Sequence, residues 1–126
     1  MKFMMMVKTT AASANIPPSQ ELMDAVGKMT EEGMKNGTII GIGGLMPLAT
    51  GTRVRVASGK LTVTDGPFAE AKEVIGGYCI AEVASTEQAL KMAKDFMQMH
   101  IDVLGAAWEG ESEVRELAAY EVVPGK

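Results

Sequence analysis

Only two stretches of this chain carry helical periodicity, and each lies between apolar runs of strand type. That constrains the fold more than any single motif. In the first stretch Leu22, Val26, Met29 and Gly33 recur at i, i+4, i+7 and i+11, which predicts one buried helical face. Ser19 stands where an N-cap belongs, Glu21 favours the positive end of the helix dipole, and Asn36-Gly37 is a stop signal. In the second, Ser85-Thr86-Glu87-Gln88 matches a capping box. The helix it opens places Ala89, Ala93, Phe96 and His100 on one side, with Leu90 and Met97 adjacent.

Strand signals fill the intervals. Residues 2–8 alternate Phe3, Met5 and Val7 with Met4 and Met6, so both faces are apolar and an inner strand is expected. Residues 38–45 form a second run, weakened by Gly41, Gly43 and Gly44 and ended by Pro47. Arg53–Val56 and Lys60–Thr64 alternate with period two around Ser58-Gly59, a β-hairpin pattern. Val54, Val56, Leu61 and Val63 would form its inner face, and its outer face is cationic and hydroxylated. Further strands are expected over 74–83 and from about 113 to 122. The order is β-α-β, hairpin, β-α-β. Two split β-α-β units make a ferredoxin-like α+β sandwich, here with an inserted β-hairpin, and residues 1–126 read as a single domain. Both helices cover one sheet face. The other stays bare unless a second copy covers it, so a homodimer with facing sheets is expected.

Composition removes function classes. Twelve Lys and Arg against sixteen Asp and Glu leave a net charge of −4, which argues against direct nucleic-acid binding. One Cys and one His leave no disulfide framework and no multi-histidine metal site within the chain. No cofactor is implied: Gly41-Ile42-Gly43-Gly44 lacks the Gly-Lys-Ser/Thr ending of a phosphate loop. No window approaches the roughly 20 apolar residues of a membrane span, and the first eight residues are too short an apolar run for an export signal. The chain therefore reads as cytoplasmic, and free Cys79 fits a reducing compartment.

The segment Asp65-Gly66-Pro67-Phe68-Ala69-Glu70-Ala71-Lys72-Glu73, followed by Gly77-Tyr78, resembles the DGPF branch of the YCII-related family. The likeness extends to Met1-Lys2-Phe3-Met4, to Gly43-Gly44-Leu45 and to the hairpin, roughly residues 1–120. It implies a dimeric α+β barrel with a cleft of poorly known function. Relatives in the superfamily include small isomerases, a dehydrochlorinase and monooxygenases, and some DGPF-type proteins resemble partners of extracytoplasmic-function sigma factors. Other YCII-type proteins carry a His–Asp dyad with the His near the N-terminal part of the chain. This chain has no His before residue 100, so only Asp65 transfers from that motif.

Several side chains then compete for a site. Asp65 follows a strand and precedes Gly-Pro. A desolvated carboxylate there would serve as a general base, while an Asp that bonds turn amides is the structural alternative. Tyr78 offers a phenol to a ligand oxygen or packs as a core or interface residue. Glu70, Lys72 and Glu73 form a charged patch that either grips an anion or is a solvated loop. Arg53, with Arg55 and Lys60, either clamps a carboxylate or keeps the hairpin from pairing edge to edge. His100 is either an acid/base group or a structural residue on an apolar helix side. Two readings follow. One is a small-molecule-binding protein, with cofactor-independent isomerase or lyase chemistry based on Asp65 and assisted by Tyr78 and Lys72. The other is a non-enzymatic sensor or interaction module linked to a sigma-factor system.

Overall fold

A computed structural model describes residues 1–10, 18–66, 68 and 73–118. Its elements follow the expected order: β1 (Lys2–Thr10), α1 (Gln20–Asn36), β2 (Ile39–Gly44), a 3-10 turn (Leu48–Thr50), β3 (Thr52–Ala57), β4 (Lys60–Asp65), β5 (Glu73–Glu82), α2 (Thr86–Leu104) and β6 (Glu111–Glu116). β1 runs two residues further than the sequence pattern suggests. β6 stops at Glu116, and the remainder of the expected last strand, beyond Ala118, lies outside the described residues.

The main sheet has the order β2-β5-β1-β6, with every neighbouring pair antiparallel. This is the ferredoxin-like α+β arrangement, with the hairpin set apart as its own two-stranded sheet. Its register pairs Val54 with Val63 and Val56 with Leu61. Ser58 and Gly59 both have positive φ, +51° and +73°, the backbone of a two-residue turn whose twist matches the strands. The four apolar side chains share one face as expected, but every residue of β3 and β4 is exposed. The face read as inner is therefore covered by nothing among the described residues. Alternation tells which side chains travel together but not what meets them.

The helix caps form as the sequence implies. Leu22 N–H donates to Ser19 Oγ at 3.1 Å, and Gln88 N–H donates to Ser85 Oγ at 3.2 Å. The reciprocal half of the second cap is shifted by one residue: Gln88 Oε1 accepts from Ala84 N–H at 3.0 Å.

Phe3, Met5, Ala81, Val83, Ala89 and Ala93 form the core, with Cys79, Met92 and Val114 packed against it. Ala89 and Ala93 are small, so α2 approaches the sheet closely. α1 buries only Gly33, while Leu22, Val26 and Met29 on the same side stay half-buried. One helix is thus seated on the sheet and the other stands off it.

Candidate functional site: a cavity between the helices and the sheet

The stand-off of α1 leaves a cavity of about 1220 Å³ bounded by both helices, the sheet and the loop after α2. Ligand pockets commonly span roughly 300–1,000 Å³, so a whole small molecule fits. Its walls are mostly apolar: Met5 and Val7 from β1, Leu22, Val26 and Met29 from α1, Ile39 and Ile42 from β2, Met92 and Phe96 from α2.

Among the polar residues in this wall, His100 is the buried one. It is buried on α2, and its ring is held on three sides. Nδ1 donates to the Phe96 carbonyl oxygen at 2.8 Å, because a carbonyl can only accept. The Phe96 ring meets it edge-on at 4.8 Å, and the Trp108 ring stacks on it at 4.7 Å and 30°. A neutral imidazole whose Nδ1 carries the proton has its lone pair on Nε2. Among the described residues nothing bonds Nε2, and no buried side-chain nitrogen or oxygen among them is left unsatisfied. Nε2 is therefore accessible to whatever occupies the cavity. Cys79 also borders the cavity, and burial pushes its thiol pKa up, so it stays protonated at neutral pH and is a poor nucleophile.

The other expected site residues lie elsewhere. Asp65 ends β4 at the hairpin base, exposed, and its Oδ1 accepts from Thr52 Oγ1 at 3.0 Å across the ribbon. It does not line the cavity. Gly66 N–H donates to Gly51 O at 2.8 Å. A Cβ on Gly66 would fall 2.5 Å from the Leu48 carbonyl oxygen, so only glycine lets the chain pass this close to the 3-10 turn. Phe68 is buried, and the Arg53 guanidinium sits 3.8 Å over its ring centroid, a cation–π contact. Gly66 and Phe68 thus close the hairpin base against the 3-10 turn and Arg53.

Tyr78 pairs with Met6 of β1 and Gly43 of β2. Its neighbour Cys79 packs against the core, so alternation turns the Tyr78 ring to the opposite, open face of the sheet. There it lies across Gly43, where a Cβ would come within 2.8 Å of Oη. Tyr78 and the neighbouring glycines 43, 44, 76 and 77 also border the cavity. On the same open face Lys8 Nζ donates to Glu113 Oε1, which lowers the Glu113 pKa. Glu70 and Lys72 lie outside the described residues, and Glu73 is described only as the β5 backbone opposite Thr10.

Tyr78 and His100 therefore both border the cavity, while Asp65 lies apart at the hairpin base. Trp108 is the functional residue that sequence reading missed. One signal pointed to it. The chain holds six Phe, Tyr and Trp residues in all, and Phe96 and Trp108 flank its one His in sequence.

A family model for the YCII-related domain matches residues 1–103. The chain belongs to the YCII-related family. The match takes in every element from β1 to most of α2. β6 lies beyond it, although β6 pairs with β1 and completes the sheet. An uncharacterised protein of Rhizobium meliloti (strain 1021) is 35% identical over 82 residues, which is 65% of this chain and 60% of that protein. This YCII-related chain thus spans less than two-thirds of the curated relative it matches. No helix among its described residues is long and apolar enough to cross a membrane.

Proposed function

We propose that this YCII-related protein binds an apolar small molecule in the cavity between its helices and its sheet, anchored by a hydrogen bond to His100 Nε2. The supporting observation is the fixed imidazole, oriented by the Phe96 carbonyl and the Trp108 ring in a mostly apolar wall. The acids Glu32, Asp95 and Glu109 also border the cavity, whereas none of its described lining residues is Lys or Arg. Neutral or cationic ligands carrying a donor fit that balance better than carboxylates. Proton transfer without a cofactor has a better-placed base in His100 than in Asp65, whose carboxylate is exposed and engaged by Thr52. The sigma-factor partnership rests on the resemblance alone.

The open sheet face carries Met4, Met6, Tyr78 and Ile80, and no helix among the described residues covers it. Pairing with a second copy through this face is the simplest cover.

The single Trp stacks on His100, so its emission reports cavity occupancy. Size-matched apolar alcohols, amines and carboxylic acids would be titrated while Trp108 fluorescence is followed. Alcohols or amines should shift the emission, carboxylates should bind more weakly, and His100→Ala should weaken binding about threefold to tenfold through loss of one hydrogen bond. The reading fails if no compound changes the emission, or if His100→Ala binds each as the parent does.

A further inference from the structure

Gly110 stands just before β6. Among the described residues the glycines of positive φ are Gly37, Gly59 and Gly105, and Gly110 is not one of them. Its backbone therefore does not ask for glycine. A glycine next to a strand also weakens it, and often marks a place where another group comes close. Here that group is Trp108. A Cβ on Gly110 would fall against Cη2 of the indole, 2.6 Å from Cζ2 and 3.1 Å from Cζ3. Carbon atoms in contact stay about 3.5–4.0 Å apart, so a methyl group there would drive the ring back by about 1 Å.

The other neighbour of this indole is His100, stacked on it at 4.7 Å and 30°. The chain brings the two rings together by a reversal at the end of α2. Gly105 N–H donates to Ile101 O at 2.8 Å, and Gly105 takes φ +91°, a backbone that side chains rarely tolerate. Trp108 N–H then donates to Gly105 O at 3.2 Å. This turn sends the indole back to the helix the chain has just left. Gly105 permits the reversal, and Gly110 leaves the space in which the returning side chain lies.

We propose that Gly110 is a positioning residue of the cavity: by leaving room for the indole it seats Trp108 against the His100 imidazole and so fixes the place of Nε2. The consequence for affinity rests on the reading of His100 as the ligand's anchor; the seat itself does not. The two Phe96 contacts hold the imidazole from its own helix. A single hydrogen bond at Nδ1 fixes one atom of the ring and leaves it free to swing about that atom. A ring stacked on its face removes the swing, and Trp108 supplies that face from outside α2. Close contact matters here, since a gap of about 0.5–1 Å already forfeits roughly a quarter to a half of a dispersion contact.

The test reads the imidazole directly, in the full chain and without ligand. The chain holds one His, so its two ring C–H protons give one recognisable pair of magnetic resonances, moved upfield by the ring current of the stacked indole. In Gly110→Ala the pair should move downfield, toward its position in Trp108→Leu, while the far-ultraviolet dichroism stays that of the parent. In a Trp108→Phe background the shorter ring has no outer edge to collide, so Gly110→Ala should leave the pair in place; the two substitutions are coupled. Binding of 1-octanol, followed by backbone amide shifts, should weaken about threefold to tenfold in Gly110→Ala, the loss of one well-placed hydrogen bond. Unmoved imidazole resonances in Gly110→Ala overturn the inference, as does an equal displacement in both backgrounds. If the resonances move and 1-octanol binds the variant as it binds the parent, the positioning role is overturned while the binding reading survives. If 1-octanol does not bind even the parent and the resonances move as expected, the binding reading fails and the seat stands. Should Gly110→Ala fail to fold, its combination with Trp108→Phe decides. A folded double variant with the imidazole resonances of Trp108→Phe supports the seat, and a double variant that also fails to fold overturns it.

Discussion

Phe3 on β1 and Val63 on β4 are written in the same alternating pattern, yet Phe3 is 3% exposed and Val63 67%. β1 is flanked by β5 and β6 in hydrogen-bonding register, and its Phe3–Met5 face meets the alanines of α2. β4 has one neighbour, β3, and no layer on its apolar face. What separates the two regions is not residue type but the number of partners each finds within one chain. The sheet completes its core with its own helices. The hairpin is a finished supersecondary unit whose apolar face meets nothing among the described residues.

The contrast can be broken by core and ribbon truncations made in parallel. Phe3→Ala should cost about 3–5 kcal/mol in chemical denaturation. Val63→Ala should cost about 0.5 kcal/mol or less in the folding of a single chain. Equal losses at the two positions would show that the ribbon packs within its own subunit.

The junction between the regions comes next in size. Gly66→Ala places a methyl group 2.5 Å from the Leu48 carbonyl oxygen. The strain should cost about 1–3 kcal/mol and loosen the hairpin base, seen as faster hydrogen exchange across residues 52–65 with the protection of β1 and β5 unchanged. A Gly66→Ala chain with native exchange in the hairpin would mean that Gly66 does not hold the hairpin base.

The smallest effect is electrostatic and belongs to the open sheet face. Lys8 donates to Glu113 and holds its carboxyl below the usual carboxylate range. A carboxyl whose pKa is lowered on folding stabilises the fold above its unfolded pKa, and that contribution fades as pH falls through the lowered folded value. Thermal unfolding of Glu113→Gln should therefore show a shallower decline on the acid side than the parent, with the difference vanishing at the lowest pH. Parallel acid limbs would show that the pair does not contribute to stability.

Much of this was legible without coordinates. Local rules are short-range, so Ser19, Ser85, Gln88 and Ser58-Gly59 could be read as caps and turn from a few residues each. The split β-α-β order and the period-two runs carried the strand order. The site was less legible. Asp65 sits on the most recognisable motif of the chain, and in the structure its carboxylate accepts from Thr52 across the hairpin base, away from the cavity. His100 was legible as a residue on an apolar helix side but not as a cavity wall. That role depends on Trp108 folding back across the loop and on α1 standing off the sheet.

By itself, then, the sequence determined the elements, their caps and which side chains share a face, because these depend on backbone geometry over a few residues. It also limited the chemistry to one imidazole, one thiol and the common charged groups. Only the tertiary structure decided that the apolar hairpin face is bare among the described residues, that Asp65 lies apart from Tyr78 and His100, and that a cavity opens beside the histidine. Those outcomes depend on how closely two helices settle on one sheet, a packing distance set jointly by residues far apart in the chain. The alanines of α2 draw that helix in, while α1 buries only Gly33 and leaves the space.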